Sequence, residues 1–284
     1  MISQANGDAL SRDSALELNN GVFIPRLGLG VFRSEAGIET ENAVRWALEA
    51  GYRHIDTARV YMNEVDVGHA LSTAELTRED VFVTTKLWNA DHGYDQTIAA
   101  CRESLGRLGL DYIDLYLVHW PVEGLRGESW RAMEQLLADG MVRAIGVSNY
   151  MARHLTELLD VCNVVPAVNQ FELHPFNWGT RADVIALCRE AGIAVEAYSP
   201  LTKGFRLHDE RLALIASRHG VTPAQALIRW GLQHDLVVIP KSVQRARIVA
   251  NADVYSFELD VDDMAELDAL DEGLITAWDP TDAP

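Results

Sequence analysis

Eight short runs of β-forming residues, separated by longer stretches of helical period, are the feature that most constrains this chain. The runs are Arg26–Gly30, Tyr52–Ile55, Val81–Thr85, Ile113–Val118, Arg143–Val147, Ala167–Asn169, Ala194–Ala197 and Leu236–Ile239. The helices between them include Glu39–Ala50, Tyr94–Leu108, Trp130–Ala138, Ala182–Ala191 and Pro223–Gln233. Strands joined by helical crossovers pair in parallel, whereas antiparallel neighbours need only a short turn. Gly51, Gly140 and Gly192 stand where these helices would close in a left-handed residue. Thr222-Pro223 offers a cap followed by a favourable first helical residue. Ahead of the alternation, Ala15–Pro25 sets apolar residues on both sides of Asn19-Asn20-Gly21, which signals a hairpin.

Parallel strands with crossover helices build either an open doubly wound sheet or a closed barrel. An open nucleotide-binding sheet carries GxGxxG after its first strand, at the start of a helix. Here the corresponding turn reads Gly28-Leu29-Gly30-Val31-Phe32-Arg33, with no third glycine and no helix starting there. The expected fold is therefore α/β, a (β/α)8 TIM barrel with an N-terminal β-hairpin. Residues 15–284 form one domain and residues 1–14 a flexible tail, a length that suits one barrel.

Charge and cysteine usage bound the partners. With 42 acidic against 24 basic residues the net charge is −18, which repels nucleic acid and anionic membranes. Cys101, Cys162 and Cys188 are odd in number, widely spaced and without a CxxC pattern, which fits a reduced, cytoplasmic setting. No HExxH or clustered His and Asp ligands point to a metal. The polar N-terminus, MISQANGDALSRDS, is neither a signal peptide nor a membrane span. A cytoplasmic monomer is expected.

In such a barrel, catalytic groups gather at the C-terminal strand ends. The second strand ends in His54-Ile55-Asp56-Thr57, with Tyr61 on the loop beyond; the third ends at Lys86 and the fourth at His119. Three consecutive strands thus deliver a carboxylate, an ammonium and an imidazole to one rim, with a phenol beside them. Each residue also has an ordinary role: a turn-capping Asp, a packing Tyr, a solvated Lys, a structural His. Spacing alone leaves both readings open.

The motifs decide between them. HIDTARVYMNE (His54–Glu64), TTKLWN (Thr84–Asn89), LGLDYIDLYLVHWP (Leu108–Pro121), IGVSNY (Ile145–Tyr150), VNQFELHP (Val168–Pro175), AYSPL (Ala197–Leu201) and IPKS (Ile239–Ser242) together resemble the aldo-keto reductase family, in its order, from about Leu16 to Leu274. The nearest resemblance is to its short bacterial reductases of the 2,5-diketo-gluconate type. It implies NADPH-dependent reduction of aldehydes and ketones. Carbonyl reduction needs a hydride at carbon and a proton at oxygen. A free tyrosine, with a pKa of about 10, is a reluctant donor at neutral pH, and a nearby ammonium lowers that value. The resemblance therefore makes Tyr61 the general acid, Lys86 its tuner, Asp56 the partner of Lys86, and His119 the group that orients the substrate.

The cofactor residues follow from the same resemblance. Ser148, Asn149 and Gln170 bond the nicotinamide amide, Tyr198 stacks on its ring, and Ser199 and Leu201 line the pyrophosphate. From spacing alone, Ser148 could equally cap a helix, Tyr198 pack at the rim and Gln170 bond a strand-end turn. Lys241, Ser242 and Arg247 open a helix after the last strand and would grip the 2′-phosphate, with Val243 and Asn251 also expected to bind the cofactor. The sequence departs from the family at Ala250, where a Glu beside the adenine is usual, and this leaves the strictness of NADP over NAD open. Phe32, Trp88 and Trp120 would wall a pocket for apolar or flat carbonyl compounds, and Trp278 could fold over its mouth. The variable connections are short, which implies an open pocket. Two other readings are a non-enzymatic nucleotide-binding regulatory subunit of this fold and a Schiff-base aldolase using Lys86.

Overall fold

A computed structural model describes residues 10–284. Of the expected tail, residues 1–9 lie outside the described residues. Leu10 packs against the core, and the Ser14 carbonyl accepts from the Arg26 amide at 3.1 Å. The hairpin is present: β1 (Ala15–Glu17) pairs antiparallel with β2 (Phe23–Pro25), Leu16 opposite Ile24. Its turn closes through Gly21, whose φ of 81° favours glycine. The hairpin plugs the barrel floor, since Leu18 and Ile24 pack with the interior residues Phe82, Leu115, Leu117, Ala144, Val168 and Val237.

Eight parallel strands follow: β3 (Leu29–Gly30), β4 (His54–Asp56), β5 (Phe82–Leu87), β6 (Ile113–Val118), β7 (Val142–Ser148), β8 (Val168–Glu172), β9 (Ala194–Tyr198) and β10 (Val237–Val238). The sheet closes on itself, with Leu27 pairing to Val238 and Gly30 to Lys241. The Gly28 amide donates to the Val238 carbonyl at 2.9 Å and the Gly30 amide to the Pro240 carbonyl at 3.1 Å. Helices pack outside: α1 (Ile38–Glu49), α2 (Glu64–Ser72), α3 (Tyr94–Leu108), α4 (Arg126–Ala138), α5 (Ala152–Leu159), α6 (Ala182–Glu190), α7 (Glu210–Arg218), α8 (Pro223–Gln233), α9 (Arg245–Ala252) and α10 (Val261–Asp268). The main core lies between strands and helices, as burial of both elements' apolar faces requires. Thr222 caps α8 in a reciprocal box with Gln225, after which Pro223 opens the helix. Gly51, Gly140 and Gly192 follow their helices with φ of 95°, 72° and 70°. Among the described residues no helix is long and apolar enough to cross a membrane.

Several strand limits differ from the sequence reading. β5 continues through Leu87, so Lys86 lies inside a strand and not at its exposed end. β8 runs to Glu172, so Gln170 is also a strand residue. The physical reason is shared: an inward-facing polar residue in a barrel reads, in sequence, like the end of a strand. The helices α2, α5, α7 and α10, eight or nine residues each, were not among those read from the sequence; the helix expected to open near Lys241 begins at Arg245.

Candidate active site

Lys86 is fully buried on β5. A buried ammonium is tolerable only if its protons are engaged. Its Nζ donates to both carboxylate oxygens of Asp56, on the neighbouring β4, at 2.7 Å each, and to the Thr57 carbonyl at 2.8 Å. The Tyr61 hydroxyl lies 3.5 Å away. Tyr61 ends a single turn of 3-10 helix, Arg59–Tyr61, after which Met62 takes a left-handed φ of 61°. Buried Asn63 fixes the loop: its amide donates to the Val31 carbonyl at 3.0 Å and its carbonyl accepts from the Thr57 hydroxyl at 2.8 Å.

His119 stands one residue beyond β6, its ring edge-on to those of Tyr61 and Trp88, with centroids 5.8 and 5.5 Å apart. Phe32 lies 4.9 Å from Tyr61. Among the described residues no protein group bonds the His119 ring, and its Nδ1 is buried without a partner. The four expected catalytic side chains and two of the three expected pocket aromatics thus meet at one mouth. The third, Trp120, meets Trp278 edge-on at 5.6 Å. The segment carrying Trp278 is strapped to the rim: Glu172 accepts from the backbone amides of Thr276 and Ala277, and Arg181 pairs with Asp279 at 3.1 Å. The sequence reading missed these anchors, because contacts between a strand end and a distant terminus leave no local pattern.

Electrostatics correct one expectation. The Tyr61 phenol is pushed well above its ordinary pKa, by burial first and then by the Asp56 and Glu196 carboxylates. Lys86 does not reverse this, because Asp56 and the Thr57 carbonyl already hold its ammonium and the contact to the phenol is long. Burial, aided by the Lys86 charge, pushes the His119 imidazole well below its ordinary range. At neutral pH the mouth therefore presents two neutral donors, a phenol and an imidazole.

A second group of expected residues lies alongside. Ser148 ends β7 and does not cap a helix; α5 begins four residues later. Asn149 takes φ of 63° and donates to the His119 carbonyl at 3.0 Å and to the Ser148 hydroxyl at 3.1 Å. The Tyr198 hydroxyl donates to the Asn149 side-chain carbonyl at 2.9 Å. Gln170 donates both amide hydrogens to carboxylates, Asp56 at 2.8 Å and Glu196 at 2.9 Å. These two acceptors fix which way the amide points. Glu196 itself was not foreseen; a lone charge inside the run AVEAY was its only signal.

After β9 the backbone of Ser199, Thr202 and Lys203 is left-handed, with φ of 49°, 51° and 51°. Such non-glycine residues cost about 1–3 kcal/mol each and persist where surroundings hold them. Thr202 is buried and accepts from the Arg206 amide at 3.1 Å, Lys203 bonds the Thr276 carbonyl, and Leu201 packs half-buried against the core. Across the mouth, Lys241 is exposed and bonds the Arg33 carbonyl at 3.2 Å, while the Ser242 hydroxyl accepts from the Gln244 amide at 3.1 Å. Val243 packs on the core and Asn251 is buried under the helix. Arg247 is exposed on α9 and, among the described residues, pairs with no carboxylate, whereas Arg245 pairs with Glu49 at 3.1 Å.

Comparison with known proteins places the chain in one family. The model of the Aldo/keto reductase family matches residues 26–272. The chain is 47% identical over 262 residues to glyoxal reductase of Bacillus subtilis (strain 168), covering 92% of this chain and 94% of that protein. A Gox0644 mutant solved in complex with NADPH is 42% identical, with a TM-score of 0.89 over 96% of this chain and 99% of the other. A Bombyx mori aldo-keto reductase in complex with NADP is 37% identical, with a TM-score of 0.87 over 94% and 96%. A closed barrel with the Asp56, Tyr61, Lys86 and His119 cluster at its mouth, and a family match spanning nearly all of it, lead to one conclusion: the chain belongs to the aldo/keto reductase family.

Proposed function

We propose that this chain reduces small aldehydes and ketones to alcohols with NADPH, using Tyr61 as proton donor. The observation that carries the reading is the buried Lys86–Asp56 pair set 3.5 Å behind the Tyr61 hydroxyl, with the unengaged His119 ring opposite. NADPH, when bound, supplies the hydride. The carbonyl oxygen sits between the His119 ring and the Tyr61 hydroxyl and takes its proton from Tyr61 as alkoxide character develops. An alkoxide is a far stronger base than a phenolate, so a phenol with a raised pKa can still give up its proton to it. Lys86 then faces a phenolate instead of a phenol, and its charge is worth most at that moment. Asp56 keeps the ammonium in place.

The donor set fits the cofactor. With both amide hydrogens of Gln170 engaged, its carbonyl is left to accept from the nicotinamide carboxamide, beside Ser148 and Asn149. Tyr198 would stack on the ring, Ser199 and Leu201 line the pyrophosphate, and Lys241, Ser242, Val243, Arg247 and Asn251 hold the adenosine end. Arg247 carries the selection for NADPH: among the described residues it pairs with no carboxylate, in a chain of net charge −18. Arg247→Ala removes a charge-assisted contact of about 1.5–3 kcal/mol. NADPH then binds roughly tenfold to a hundredfold more weakly while NADH is nearly unchanged. Fluorescence titration of both cofactors checks this; equal losses would remove the cluster from the 2′-phosphate.

Phe32, Trp88, Trp120 and Trp278 suit flat or apolar substrates. An aromatic contact adds about 0.5–1.5 kcal/mol, so Trp120→Ala or Trp278→Ala raises KM for an aromatic aldehyde about two- to tenfold with kcat little changed. A KM that stays level for both variants places the substrate elsewhere. A Schiff-base role for Lys86 is disfavoured, because a buried ammonium held by Asp56 and Thr57 has no free amine to attack a carbonyl. A regulatory subunit would have no use for the complete catalytic set. The same reading takes the enzyme as a cytoplasmic monomer that binds no nucleic acid. NADPH oxidation over an aldehyde and ketone panel tests the activity, and gel filtration the monomer.

A further inference from the structure

Two carboxylates share the barrel interior with one cation. Asp56 and Glu196 both accept from the Gln170 amide nitrogen, and Glu196 is completely buried on β9. Lys86 closes on Asp56, while the nearest ring nitrogen to Glu196 Oε1 is His54 Nε2 at 3.6 Å, beyond hydrogen-bond reach. That nitrogen instead lies 3.0 Å from the Thr84 hydroxyl. Gly28 makes room for the His54 ring, since a Cβ there would stand 2.7 Å from its Nδ1. Glu196 Oε1 has no hydrogen-bond partner among the described residues. The groups facing Glu196 are His54 and Asp56 on β4, Lys86 on β5, Gln170 on β8 and Tyr61 from the loop; β10 contributes uncharged Val237 in register.

We propose that Glu196 is a positioning residue of the reduction: by carrying a proton it leaves Asp56 as the single negative charge beside Lys86, and so sets how well Lys86 stabilises the phenolate that forms at Tyr61. This rests on the Tyr61 reading above. An ionised Glu196 would place a second buried anion on the same amide, with one oxygen lacking any donor, and like charges so placed do not both ionise readily. Accordingly its carboxyl is pushed up to about 8, by burial first and then by Asp56. His54 offers no counter-charge, since burial and Lys86 push it down to about 3. Once ionised, Glu196 adds to the negative charge that disfavours the phenolate. An amide does not relay a proton readily, so the influence is electrostatic and Glu196 touches no reacting atom.

The test is kcat for NADPH-dependent aldehyde reduction from about pH 6 to pH 10, repeated with cofactor deuterated at the transferred position so that hydride transfer is the step being read. Wild-type kcat falls severalfold as pH rises through about 8, while KM for the aldehyde stays level. Glu196→Gln keeps a hydrogen-bonding amide without titrating and loses that fall; Glu196→Met, a second uncharged variant, loses it likewise. A wild type with level kcat across this window overturns the proposal by itself. So does a variant that keeps the wild-type fall, or one that loses activity uniformly with an unaltered profile, since a purely structural role predicts that. Failure of the underlying reading looks different: no NADPH oxidation by the wild type at any pH.

Discussion

Tyr61→Phe reduces carbonyl turnover by about 10²–10⁴-fold, the range that a positioned general acid contributes. The ring remains, so its contact with Phe32 and the edge-on packing with His119 survive. The lost hydroxyl contacts Lys86 only at 3.5 Å, so the fold and NADPH affinity stay close to wild type. Steady-state turnover and a cofactor titration on the same preparation separate the two effects. Near-normal turnover would strip Tyr61 of its role, and a matching loss of NADPH affinity would make it a binding residue instead.

Lys86→Met acts on both chemistry and stability. Removing one partner of a buried pair costs about 3–5 kcal/mol, because the other charge is left without compensation. Burial already pushes the Asp56 carboxyl up, against Lys86 and the Gln170 amide. Without Lys86 it rises further. A folded-state value above the unfolded one means stability that is present below the unfolded value and lost as pH rises through the folded value. The variant is therefore closest to wild type in acid, and its deficit widens toward neutral pH. Urea unfolding at about pH 5 and pH 8 reads this directly. Adding Asp56→Asn removes the orphaned charge and recovers part of the stability at pH 8, yet turnover stays low because no cation faces the phenolate. A deficit independent of pH, or recovery of turnover in the double variant, would contradict the assignment.

The barrel was legible because its signals are local. Eight β runs with helical spacers, the Asn20-Gly21 turn and the Thr222-Pro223 cap each leave a signal in neighbouring residues, even where the strand limits shift. Three of the four candidate catalytic residues could be placed from order along the chain, since Asp56, Lys86 and His119 each fall at or near the end of a run, but spacing alone left their roles open. What spacing could not give was depth. Lys86 reads as a rim lysine, yet it lies inside β5 without exposure, because the partner that permits its burial is a strand away. Glu196 was missed for the same reason, since a charge within an apolar run has no meaning until Gln170 and Asp56 stand beside it. The direction of the Tyr61 shift also depends on depth: proximity to Lys86 argued for a more acidic phenol, whereas burial and two carboxylates outweigh it. The strap that brings Trp278 to Trp120 joins residues about a hundred positions apart, and such contacts follow from topology.

Hydride transfer from NADPH to a carbonyl at the Tyr61 mouth leaves an isotopic label that can be followed into the product. The enzyme is supplied with NADPH deuterated at the transferred position and a panel of aldehydes and ketones, and the products are analysed by mass spectrometry. The expected product is an alcohol formed one for one with NADPH consumed, carrying the deuterium on the former carbonyl carbon, with formation strongly reduced in Tyr61→Phe. NADPH that binds but is not oxidised by any member of the panel, or an alcohol without the label, would contradict it.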